Sequence, residues 1–142
     1  MFTILTLMEN TAPTDCLAAE HGLSLLIEGG GRRVLYDTGG SPRFMQNAGA
    51  LGAGLLGLDA LVLSHGHYDH TGGAAALLSL EEPPREIFLG RGFFDPRRSR
   101  EKDGLMDISS MVEERLLKRS GIPCRVVGEE PVKLGEGLWL VS

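Results

Sequence analysis

The sequence predicts an α/β fold built on a mixed sheet, and three observations carry that prediction. Leu61-Val62-Leu63 is a short continuous apolar run, the pattern of a strand covered on both faces. Residues 74–80 form a good helix sequence and residues 85–89 read as the next strand. A strand, helix, strand unit of this kind pairs its strands in parallel through a right-handed crossover. Residues 23–28 and 33–37 flank Gly29-Gly30-Gly31, which predicts an antiparallel hairpin.

The remaining elements follow in chain order. Residues 2–8 alternate larger apolar residues with threonines and read as the first strand, and residues 9–19, with Asn10, Pro13 and Asp15, read as a loop. A helix over 42–51 is predicted from Ser41 at the cap and Pro42 in the first turn, with a loose glycine-studded continuation to residue 57. Pro83-Pro84 ends the helix after the apolar strand. Residues 90–103 are irregular and charged. Arg91, Arg97, Arg98, Arg100 and Lys102 there read either as a solvated loop or as a clamp for a substrate phosphate. Ser110-Met-Val-Glu113 has the form of a capping box, and Gly121 followed by Pro123 is a stop, so residues 111–120 are expected to be helical. Residues 124–127 and 137–141 look like two final strands. With no repeat, low-complexity tract or linker, residues 1–142 are expected to form one domain.

Composition narrows the function classes. Hydrophobic content of 42% and charged content of 23% are ordinary for a globular protein, and a net charge of −5 argues against a nucleic-acid partner. The opening residues lack a basic stretch and reach Glu9 early, and no apolar run is long enough to span a bilayer, so a cytoplasmic location without membrane association is expected. Cys16 and Cys124 lack metal-type spacing and are expected to be reduced thiols packed as small apolar residues.

The chemistry is concentrated at the exit of the apolar strand, in Ser64-His65-Gly66-His67-Tyr68-Asp69-His70-Thr71-Gly72-Gly73. If the chain stays extended through residue 67, His65 and His67 point the same way and can grip one ion. Asp69 and His70 follow where the chain turns and can face a second position. Imidazole and carboxylate without thiolate suit Zn²⁺, Fe or Mn²⁺. The helix beginning near residue 74 is expected to place its N-terminus beside the cluster, where N–H groups favour an anion. Tyr68, between the ligand-type residues, is expected to pack rather than react.

His65-x-His67-x-Asp69-His70 after an apolar strand resembles the signature of the metallo-β-lactamase superfamily. Leu7-Met-Glu-Asn10, Ala19-Glu-His-Gly-Leu-Ser24, Leu35-Tyr-Asp-Thr-Gly39, Asn47-Ala with Leu51-Gly52, and Ser64 to Gly73 are similar to its 7,8-dihydropterin-6-methyl-4-(β-D-ribofuranosyl)aminobenzene-5′-phosphate synthase-like branch. The resemblance implies the N-terminal half of an αββα sandwich, a mixed sheet with helices on one face. It implies a hydrolase or related transferase in which a metal-bound hydroxide attacks an ester or phosphoester-type small molecule. Two divalent ions, zinc first, would be held by His65, His67, Asp69 and His70, with Asp69 also catalytic. Asp37 resembles an acid that orients a ligand histidine, although on spacing alone it can equally close a turn. His21 matches a position characteristic of the branch that can approach substrate or metal, and Glu9 and Asn10 could form a rim.

The family pattern also needs later histidines, and the chain has four in all, at positions 21, 65, 67 and 70. The second half of the sandwich is therefore expected to come from elsewhere, either the rest of a longer protein or a second copy covering an otherwise exposed apolar sheet face. Two rival functions follow: a catalytically incomplete half-domain that acts by assembly with a partner chain, and a di-iron redox protein on the same fold.

Overall fold

The computed structural model describes residues 1–141. A six-stranded mixed sheet runs in the order β1 (Thr3–Met8), β2 (Ser24–Gly29), β3 (Arg32–Tyr36), β4 (Ala60–Leu63), β5 (Ile87–Leu89), β8 (Cys124–Val126). The first three strands are antiparallel neighbours, and β3, β4, β5 and β8 are parallel. The predicted hairpin and the predicted parallel crossover are both present.

Side chains alternate across each strand, so the two faces collect different partners. Leu26, Leu35, Leu61, Leu63, Ile87 and Leu89 point to one face. There they meet Phe44 and Ala48 of α1 (Arg43–Ala50), Leu77 of α3 (Ala74–Leu78) and Leu117 of α4 (Glu114–Ser120). Each such buried aliphatic side chain contributes roughly 1.5–3 kcal/mol. Val34, Val62 and Phe88 point to the other face and pack with Leu134 and Leu138 of a separate hairpin, β9 (Val132–Gly135) with β10 (Leu138–Leu140).

Helices on one face are as expected, but the second face is not left bare. Val34, Val62 and Phe88 are buried because the β9–β10 hairpin folds across them and Arg125 lies over the Phe88 ring at 4.6 Å. The alternation in residues 132–135 was the available signal for β9.

Local corrections have identifiable causes. The charged stretch after β5 contains an antiparallel hairpin, β6 (Arg98–Glu101) with β7 (Gly104–Asp107), whose exposed residues lack the apolar alternation that marks a half-buried strand. Helix α4 begins at Glu114 rather than near residue 111, because the Ser110 hydroxyl bonds Thr71 and Val112 instead of capping the helix. Helix α1 starts after Pro42, and the Ser41 hydroxyl donates to Glu20. Gly121 ends α4 in the left-handed conformation, as its position predicts. Cys16 and Cys124 are free and exposed rather than packed. Among the described residues no helix is long and apolar enough to cross a membrane.

Candidate metal centre

The ligand-type residues collect at the carboxyl ends of the parallel strands β3 and β4, the edge of an open α/β sheet where ligands generally bind. Tyr36 pairs with Val62 in register, so the residues that follow, Asp37 on one strand and Leu63-Ser64 on the other, leave the sheet side by side. Asp37 is fully buried and adopts φ 58, a left-handed conformation that aspartate tolerates better than most residues. Its backbone N–H donates to Val62 O at 2.8 Å, which holds the turn against β4.

The Asp37 carboxylate organises two histidines. Oδ1 accepts the Ser64 backbone N–H at 2.8 Å, and Oδ2 accepts the Ser64 hydroxyl at 2.7 Å and His70 Nδ1–H at 2.7 Å. With its hydroxyl proton committed to Asp37, Ser64 Oγ accepts from His65 Nδ1 at 2.8 Å. One carboxylate therefore fixes the Nδ1–H tautomer of His70 directly and of His65 through a hydroxyl, leaving both Nε2 lone pairs free. The turn-closing role and the histidine-orienting role of Asp37 coexist. Ser64 was the residue missed as an actor, because a serine at a strand end carries no signal without its tertiary partner.

The chain bends at residues 65–66 instead of continuing the strand, and Gly66 makes this possible: a Cβ there would lie 1.8 Å from Phe93 O. His65 and His67 still come together, with ring centroids 4.4 Å apart, and His65 and His70 lie 4.2 Å apart. Asp69 and His70 sit on a one-turn helix, α2 (Tyr68–Thr71), which intervenes before α3, so α3 is not the helix that begins beside the cluster. The loop after β3 clamps α2 through the backbone, Thr38 N–H donating to His70 O at 2.8 Å and Gly72 N–H to Gly39 O at 2.9 Å.

Asp69 Oδ2 lies 3.4 Å from His70 Nε2 and 3.3 Å from His21 Nε2. The exposed His21 thus joins the cluster, and its Nδ1 is 3.2 Å from Asn10 Oδ1, which places Asn10 at the rim. Glu9 instead accepts from the Thr11 hydroxyl. Burial, with His70 and His67 nearby, pushes the His65 imidazole below its usual range and favours the neutral form that ligates metals. The hydrogen bond to Asp37 pushes His70 up.

The donor types and their fixed tautomers suit a divalent cation, but the cage is not closed. Among the described residues no three His, Cys, Asp or Glu side chains converge on one liganding position.

The sequence matches the family model of the metallo-beta-lactamase superfamily over residues 18–134. The chain belongs to that superfamily. An uncharacterized protein of Methanocaldococcus jannaschii is 29% identical over 132 residues, covering 93% of this chain and 49% of that protein. The same organism's 7,8-dihydropterin-6-methyl-4-(beta-D-ribofuranosyl)-aminobenzene-5′-phosphate synthase is 27% identical over 131 residues, covering 87% of this chain and 44% of the synthase. A crystal structure of a metal-dependent hydrolase of the beta-lactamase superfamily superimposes with a TM-score of 0.72 at 26% identity, over 97% of this chain and 46% of the other. The chain thus spans about half the length of the curated relatives it matches, with coverages of 49% and 44%. The superfamily fold, with its mixed sheet, is the one the sequence predicts.

Proposed function

We propose that this chain carries the metal-binding portion of a hydrolase, or of a related transferase, acting on an ester or phosphoester. His65 and His67 would hold one divalent ion and Asp69 with His70 a second, zinc first and Fe or Mn as alternatives. A bound ion would supply Lewis acidity toward the scissile oxygen and acidify a water. Asp37 holds His70, and through Ser64 holds His65, so that Nε2 is the nitrogen each would offer to an ion. Asp69 carries the negative charge that would offset a cation.

The observation that carries this reading is the Asp37–Ser64–His65 and Asp37–His70 network on a buried carboxylate, because a histidine ligand ordinarily has its second nitrogen committed to a carboxylate or its relay. The test is elemental analysis with intact mass on wild type and His67→Ala. Zinc bound by wild type and lost from the variant is expected. Stoichiometric metal with turnover in the variant would refute the ligand assignment.

A second reading is favoured by the unclosed cage and by the half-length coverage: the remaining donors come from the rest of a longer chain or from a second copy. Metal-poor protein eluting as a dimer would support an incomplete half-domain. Iron with a visible absorption band would support the redox alternative.

A further inference from the structure

A cavity of about 530 Å³ adjoins the cluster, and the function just proposed does not use it. Tyr68, Met106 and Met111 line it together with Gly40, Asp107 and Ser109. Its walls touch the cluster at two points. Ser109 bridges to His67 in the backbone, and a Cβ on Gly40 would lie 3.7 Å from Asp69 Cα. The β6–β7 hairpin that brings Met106 and Asp107 is pinned to α2, Tyr68 N–H donating to Ile108 O at 3.1 Å. The cavity is therefore built by long-range contacts rather than left by a stray loop.

Its lining is selective. Met106 and Met111 are 48% and 67% exposed, and unbranched thioethers beside a tyrosine ring make an adaptable surface for a flat apolar group. The only ionisable side chains among the lining residues are Tyr68 and Asp107. The Ser109 hydroxyl, and with it the Ser109 N–H that donates to Asp107 Oδ1 at 2.9 Å, holds the Asp107 carboxyl below its usual range. Arg98 is the cross-strand partner of Asp107 but does not line the cavity. Among the lining residues a phosphate or carboxylate would meet the Asp107 carboxylate and no cationic side chain.

We propose that this cavity selects the substrate by taking a flat, uncharged aromatic group whose N–H or O–H donors reach the Asp107 carboxylate. Any phosphate on the substrate lies elsewhere. The proposal rests on the cluster being the reacting centre, since only then is the bound group part of a substrate.

The test is fluorescence titration of wild type with 7-amino-4-methylcoumarin, a neutral aromatic amine, and with coumarin-3-carboxylate, its anionic counterpart, each with and without zinc. Wild type is expected to bind the amine and to discriminate against the carboxylate. Met106→Ala/Met111→Ala, at exposed positions, should weaken the amine by about tenfold or more through lost apolar contact. Asp107→Asn should narrow the gap between the two probes. No binding of the amine, equal or tighter binding of the carboxylate in the zinc-free protein, or an unaffected double variant would each overturn the proposal. Zinc content is measured on the same samples, so a failed metal site is seen separately from a failed cavity.

Discussion

Asp37 Oδ2 and His70 Nδ1 lie 2.7 Å apart, joining the end of β3 to helix α2 across 33 residues of sequence. The same oxygen accepts the Ser64 hydroxyl, so two strand ends and a helix meet on one buried carboxylate. Replacing it by alanine strands the Ser64 N–H and hydroxyl in the interior. Asp37→Ala should cost roughly 1–3 kcal/mol, the range for polar groups left without a partner. Urea unfolding measures this, and an unchanged midpoint would show that the network carries no stability.

Asp37→Asn separates orientation from packing. The amide keeps the shape but loses the charge that holds both imidazoles, so zinc affinity should fall about 10–100-fold while the fold persists. Competition against a chromophoric chelator reads the affinity. An affinity equal to wild type would remove Asp37 from the metal site.

Added zinc should stabilise the chain by mass action, about 2.7 kcal/mol at one hundred times the dissociation constant. Thermal unfolding with and without zinc should reveal the shift in wild type and a smaller one in Asp69→Ala. A shift of equal size in that variant would place the ion elsewhere.

Gly66 permits the bend that gathers the histidines. Gly66→Ala would drive a Cβ into Phe93 O, so backbone must move, at a cost of about 1–3 kcal/mol or more, and the His65–His67 approach should loosen with it. A lower melting temperature with weaker zinc binding is expected. A variant as stable as wild type would show that the segment 90–97 yields freely.

Asn47 anchors the loop after β1 to helix α1. Its side-chain amide donates to Leu7 O at 2.6 Å and Ala18 O at 2.8 Å and accepts Ala18 N–H at 2.8 Å. Asn47→Ala leaves these groups unpaired and should cost about 2–3 kcal/mol, measured by chemical denaturation. Because Asn47 lies outside the cluster, zinc affinity should be retained.

The sequence by itself marked the histidine and aspartate cluster of residues 65–70 and most of the sheet. The Leu61–Leu63 run, the glycine turn at 29–31 and the His65-x-His67-x-Asp69-His70 spacing are local patterns, and local periodicity and turn chemistry are what a linear reading can weigh. Only the tertiary structure decided that Ser64 and His70 share the Asp37 carboxylate, since that depends on the β3–β4 register. It also decided that His21 reaches Asp69, and that Ser110 bonds Thr71 rather than a helix end. The β6–β7 hairpin and the cavity it builds were hidden for the same reason. Their residues face solvent, so no burial pattern marks them, and their positions come from hydrogen bonds to a helix far away in sequence.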